Sequence, residues 1–230
     1  MLTVLYLVLA ALFAYLTWQS SRLYGQQRSS YTLLLLLVLA GLVYDALVIA
    51  LGRFIGQGSL LSALNLGRFA VHALLTPLLM IFAFGVLRRA GVGWAQGKAA
   101  HTAVCIVATL MVLLGVYADL ARVDMQPRLV MDTLRYVNEG GMQGPPIASL
   151  VTMVFLLVGG VALWRRAGWP WLLLGSLVMF VAAGAAMGNL FFLGSVGEAV
   201  LGFANVATAR RFLGGQAAQA AAVAAAARPR

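Results

Sequence analysis

Six polar side chains stand within or against apolar stretches of this chain: Asp45, Arg68, His72, Asn189, Glu198 and Asn205. Asp45 lies in the run 32–51 (TLLLLLVLAGLVYDALVIAL), where an unpaired carboxylate costs roughly 2.5 to 3.5 kcal/mol on insertion scales. Such residues usually face a bundle interior, pair with one another or line a water-filled cavity. Arg68 and His72 are four apart, so a single helix face presents a guanidinium and an imidazole to the same partner. Asp45 is the obvious partner. Glu198 and Asn205, seven apart, face one way from a further helix.

Three chemistries follow from that set. Arg68 and His72 could hold a small or lipid-like ligand with an anionic group, while Asp45 sets the charge of Arg68 and the protonation of His72, a group easily moved across the physiological range. His72 could instead serve as general acid or base on an outer-leaflet lipid, oriented by Asp45, with Arg68 stabilising a developing negative charge. Or the charges could only fix helix register, as a buried ion pair can.

The elements that must position these residues are membrane spans. The composition, 63% hydrophobic and 10% charged with mean hydropathy +0.95, is far from a soluble balance. Apolar runs cover 2–18, 32–51, 69–87, 102–118, 146–164 and 170–193, each close to the length a helix needs to cross a bilayer. The run 2–18 has no basic residue before it and no small-residue cleavage site after it, so it reads as a span and not a signal peptide. A seventh run, 196–213, is shorter and carries Glu198 and Asn205.

Charge decides the count. With seven spans and the amino terminus outside, eleven basic residues fall inside (Arg22, Arg28, Arg88, Arg89, Lys98, Arg165, Arg166, Arg210, Arg211, Arg228, Arg230) and five outside (Arg53, Arg68, Arg122, Arg128, Arg135). Six spans split the same residues nine against seven, which orients nothing under the positive-inside rule. The net charge of +10 is therefore read as topology, and no nucleic-acid partner is expected. Residues 1–213 form one all-α membrane domain, a seven-helix bundle with its amino end out and carboxyl end in, and the Ala-rich 214–230 reads as a disordered cytoplasmic tail. That tail and a basic complement that is almost all Arg suggest a GC-rich bacterial genome, hence the bacterial inner membrane.

Depth follows from this topology. Asp45 lies about 9 Å from the outer end of its run and His72 about 6 Å past Arg68, taken as the outer start of the third span, so the two match in depth. Asn189 is four residues from the outer end of the sixth run. The polar groups thus converge on an outward-facing pocket among spans two, three, six and seven. Pro77 frees the carbonyl of Ala73 one turn below His72, and the kink would widen that pocket.

Other features have plainer readings. Tyr44 is an interface aromatic, Arg53 meets headgroups, and Cys105 is a small buried packing residue. Leu129, Val130, Leu134 and Val137 in the outer loop 119–145 follow an approximately helical spacing, which predicts a short surface helix. Gly184 and Gly188 form a small-xxx-small pattern suited to close packing within the bundle or to oligomerisation.

Several activities are excluded. A retinal pigment needs a lysine in the last span, and Lys98, in an inner loop, is the sole lysine. A membrane zinc hydrolase built on three histidines cannot form from His72 and His101, which lie at opposite ends of their spans. The Pro-Gln signature and internal repeat of small seven-span sugar transporters are absent, as are serine-hydrolase, P-loop and dinucleotide motifs. No metal or cofactor is expected. Binding or transport of a ligand at Asp45, Arg68, His72, Asn189, Glu198 and Asn205 leads. A lipid-directed enzyme working through His72 and Asp45 and a structural or assembly subunit are the alternatives, and membrane lipids are the surrounding partners.

Overall fold

The computed structural model describes residues 1–142, 146–186 and 190–215. In chain order these form α1 (Leu2–Gln27), α2 (Ser30–Ile55), α3 (Ser59–Leu75), α4 (Leu78–Arg89), a 3-10 turn (Gly93–Gln96), α5 (Lys98–Leu120), β1 (Met125–Val130), β2 (Thr133–Asn138), α6 (Ile147–Ala167), α7 (Trp171–Ala186) and α8 (Phe192–Phe212). Among the described residues six helices are long and apolar enough to cross a membrane, with α3 and α4 forming one interrupted rod from Ser59 to Arg89. The chain is a multi-pass helical membrane protein. The weakest run on hydropathy, 196–213, is α8 and belongs to these six. The run 170–193 gives α7, described over Trp171–Ala186, with 187–189 outside the described residues.

Helices pack with their neighbours in sequence, α1 along α2 and α6 along α7, and α8 returns against α1, α2 and α7. Close approach of α7 to α8 depends on Gly175, where a Cβ would lie 2.4 Å from the Cβ of Ala204. Contact this tight needs a residue without a side chain, as is common where membrane helices associate. Leu35, Phe82, Phe84, Leu87 and Leu156 are fully buried at the centre.

The loop after α5 departs from the expected surface helix. Residues Met125–Val130 and Thr133–Asn138 pair antiparallel, with Leu129 opposite Leu134 and Pro127 opposite Tyr136. Pro127 has no N–H to give a helix, and Val130, Thr133, Tyr136 and Val137 favour a pleated chain. Met131 at the turn takes φ 53°. The apparent helical spacing was the by-product of a two-residue alternation in β2: Leu134 and Tyr136 point together onto Val48 of α2 and Leu61 of α3. Gly52 makes that seat, because a Cβ there would stand 2.0 Å from the Leu134 carbonyl oxygen.

The hairpin ties one end of the bundle together. The Asp132 carboxylate accepts from the backbone N–H of Leu2 at 2.7 Å, from that of Thr3 at 3.3 Å and from the Met1 amine at 2.5 Å. These are the donors that a helix start leaves unmet, so a residue 130 positions away acts as a cap for α1. The bond from the Met1 amine, then those from Leu2 and Thr3, hold the Asp132 carboxyl well below the usual carboxylate range. Arg135 lies 4.1 Å over the Phe191 ring. Burial pushes its guanidinium down from its ordinary value. We call this the hairpin end. At the opposite end, Arg166 donates to the Gly91 carbonyl at 3.0 Å, Trp169 donates to Thr208 at 3.0 Å and Arg211 lies 4.9 Å over the Trp169 ring. Arg22, Arg28, Arg88, Arg89, Lys98, Arg165 and Arg210 cluster in the helix ends and turns there, which makes it the arginine-rich end.

Candidate functional site

Four residues on one stripe of α3, at 61, 65, 68 and 72, recur at helical spacings of three and four, so their side chains stack along one face. The Arg68 Nε donates to Asp45 Oδ1 at 2.8 Å, and Arg68 Nη1 donates to Asn65 Oδ1 at 2.8 Å. Asn65 in turn donates to the Leu61 carbonyl at 2.8 Å. His72 Nε2 lies 3.3 Å from the same Oδ1 of Asp45. Asp45 is 4% exposed, so its charge has little water and depends on these two neighbours. Hydrogen bonds to charged groups of this kind contribute about 1.5 to 3 kcal/mol each. Next to Asp45 on α2, Tyr44 donates its hydroxyl to the Leu64 carbonyl at 2.7 Å.

Both helices extend beyond the apolar runs that contain these groups. The run 69–87 begins only after Asn65 and Arg68, yet α3 starts at Ser59, which puts His72 about 20 Å along the helix. Likewise α2 continues to Ile55, so Asp45 is about 15 Å from that end. The hydropathy boundary fell where it did because Asn65 and Arg68 are polar, and they are buried because they satisfy one another.

Three adjacent spaces, sharing lining residues, lie in series from the hairpin end. A vestibule of about 660 Å³ is lined by Tyr117, Arg122 and the Gly140–Met142 turn among others. It shares Ala118 and Met142 with an outer chamber of about 230 Å³ between α3, α5 and α6. His72, Thr76, Asp119 and Ser149 face that chamber, together with Ala73 and Pro77. His72, Thr76 and Ser149 also line an inner chamber of about 90 Å³, whose remaining polar groups are Thr152, Glu198 and Asn205. The chambers therefore meet at His72, whose side chain is 36% exposed even though it touches Asp45. The chain is interrupted beside this junction. Pro77 has no N–H for the Ala73 carbonyl, and the ladder resumes with shorter bonds from Leu79 to the Thr76 carbonyl and from Met80 to that of Pro77, both at 3.1 Å.

The structure thus brings Asp45, Arg68 and His72 into one network, and His72, Glu198 and Asn205 around one cavity. Asp45 and Arg68 do not line either chamber. Asn189 and Gly188 lie outside the described residues, as does the tail from 216. Gly184 is exposed, and among the described residues a Cβ there would meet nothing within 4 Å. Arg53 is exposed in the last turn of α2. Cys105 is partly exposed and not buried; its Sγ is 3.8 Å from His101 Nε2.

Asn65, Thr76, Asp119, Ser149 and Thr152 were not singled out by sequence. Ser149 and Thr152, three apart on α6, give a weak signal, since hydroxyls in membrane helices often bond only their own backbone. Thr152 does so, donating to the Ala148 carbonyl at 2.8 Å, which leaves its oxygen lone pairs toward the inner chamber. Comparison with protein-family models finds no match for this chain, and comparison with the curated proteins finds none either.

Proposed function

We propose that this protein binds a small polar ligand in the outer chamber and exchanges a proton with it at His72. The observation that carries this reading is the tapering series of spaces joined at a protonatable side chain, deep in a membrane bundle. A register lock between α2 and α3 needs the Asp45–Arg68 pair but no cavity beside it.

The ligand's polarity follows from what faces the chamber. Arg68 suggested an anion, but its guanidinium is held by Asp45 and Asn65 and it does not face either chamber. Asp119, Thr76 and Ser149 offer acceptors, and the Ala73 carbonyl has lost its usual helical donor to Pro77. A ligand carrying a hydroxyl or ammonium group matches these oxygens, with His72 able to accept from or donate to it according to its protonation. At about 230 Å³ the chamber is below the usual range for drug-sized ligands, so the ligand is a small one.

The same reading includes seven crossings with the amino terminus outside, supported by the basic residues at the end opposite the hairpin, and residence in a bacterial inner membrane. Native mass spectrometry of the protein released gently from detergent tests it. Wild type should retain a small adduct that both His72→Ala and the chamber-filling Ser149→Trp lose while remaining folded. A folded wild type with no adduct across gentle release conditions, or an adduct kept by both variants, would overturn it.

A further inference from the structure

The inner chamber is too small for the ligand proposed above, since about 90 Å³ is the room taken by about three waters. Its polar groups are nevertheless those of a conducting site. Among the described residues, the Glu198 carboxylate makes no hydrogen bond or ion pair, and the Asn205 Oδ1, on a side chain 2% exposed, receives none. Both acceptors line a chamber whose walls are mostly Leu, Val and Met, with His72, Thr76, Ser149 and Thr152 as its other polar groups. An acceptor held this way in an apolar bundle costs several kcal/mol unless a donor reaches it. Glu198 and Asn205 are seven residues apart on α8, about 10 Å of rise, too far for one ion to be held by both. Waters bridging them fit both the length and the volume.

The unmet acceptors continue toward the arginine-rich end. Among the described residues the buried side-chain atoms without a partner are those of Ser20, Thr32, Arg135 and Asn205. Arg135 belongs to the hairpin; Asn205 lines the inner chamber, and Thr32 and Ser20 lie on α2 and α1, which pack against α8. Thr32 is one helical turn from Leu35, which lines the inner chamber. Ser20 is one turn from Leu16, whose Cδ1 would be 3.0 Å from a Cβ on the chamber residue Gly202. Apolar packing would have cost less at each of these positions, so hydroxyls here match a hydrogen-bonded file and not a core.

We propose that the inner chamber is the central section of a proton pathway that runs from the hairpin end through His72 and Glu198, and by way of Asn205, Thr32 and Ser20 to the arginine-rich end. It rests on the adjacent chambers of the preceding section. In each passage a hydronium on the hairpin side gives a proton to His72 or Glu198, waters carry it along the file, and a proton leaves to water at the other end. No bond other than O–H and N–H forms or breaks, and the proton gradient supplies the drive. Asp45 and Arg68 face His72 from α2 and α3, Asp119 lies on the outer chamber from α5, and among the described residues Tyr6, Tyr44 and Arg135 are further charged or titratable groups near the site. The inner-chamber linings from α6 and α7, Ser149, Thr152, Met153 and Met179, are not titratable.

The test is proton flux into liposomes carrying the full chain, read with a lumenal pH dye while valinomycin and a potassium gradient impose a membrane potential. Wild type should acidify the lumen faster than protein-free vesicles. Glu198→Gln should fall to the protein-free level, Glu198→Asp should retain flux, and Thr32→Val, which leaves both chambers intact, should lower it. The exposed Arg53→Gln should match wild type. Wild-type flux at the protein-free level, or undiminished flux in folded Glu198→Gln, would overturn the pathway. Retention of the outer-chamber adduct separates the two claims: an adduct without flux sinks the pathway alone, whereas loss of both sinks the chamber reading as well.

Discussion

Replacing Asp45 by Leu should be among the most damaging single changes in the molecule, and replacing Arg68 at the same time should repair much of it. The Asp45 and Arg68 side chains are 6% and 13% exposed, so solvent screens their attraction little. Removing one member of such a buried pair leaves the other charged and costs about 3 to 5 kcal/mol. Asp45→Leu strands Arg68 with the Asn65 oxygen and takes from His72 its contact at 3.3 Å. Arg68→Met strands Asp45 in the same way. The double variant removes both charges, and apolar replacement of a whole buried pair is often neutral or better. The cycle should therefore show a coupling of at least about 2 kcal/mol, within the range found for contacting residues. Unfolding in mixed micelles with rising dodecyl sulfate, followed by tryptophan fluorescence, gives the four free energies. Additivity to within about 0.5 kcal/mol would refute the ion pair and with it the positioning of His72.

Two further outcomes follow from the fold. The Asp132 carboxyl titrates below its unfolded value of 3.8, so its stabilisation of α1 is present above that pH and is lost as pH falls toward the lower folded value; cooling of the thermal midpoint between about pH 5 and about pH 3 should be smaller in Asp132→Asn than in wild type, and equal slopes would contradict the cap. Gly175→Val places carbon where Ala204 already stands, at 2.4 Å, and should destabilise by about 1 to 3 kcal/mol through separation of α7 from α8, whereas the same change at the open Gly184 should cost far less in the same micelle assay.

The helical membrane class was legible because long apolar runs in water have no other use, and α8 was recovered despite Glu198 and Asn205 because the basic residues beyond it had to be placed. What misled were residues whose environment is set from outside their own segment. Asn65 and Arg68 read as the surface end of a span, yet each finds its partner within the bundle. Leu129, Val130, Leu134 and Val137 mimic a helix because two short strands bring apolar residues forward at irregular intervals; the register in β2 depends on Val48, Leu61 and Gly52, far away in sequence. The link between Asp45, Arg68 and His72 could be read from one four-residue spacing and matched depth. The chambers could not, because Thr76, Ser149 and Asp119 acquire meaning only when three separate helices leave space between them.

The central claim is that water reaches the junction at His72 from the hairpin end, and thiol labelling tests it most directly. In a Cys105→Ala background, Ser149→Cys and the fully buried Leu163→Cys would be exposed to a small, permanently charged thiosulfonate with the protein held in lipid nanodiscs, where the bilayer shields any path through the lipid. The account predicts rapid labelling at 149, slowed when Ser149→Cys is combined with a bulky Ala118→Trp at the passage from the vestibule, and none at 163. Labelling at 149 no faster than at 163 in the folded protein would mean that no aqueous route reaches His72, and would contradict both the ligand site and the pathway beyond it.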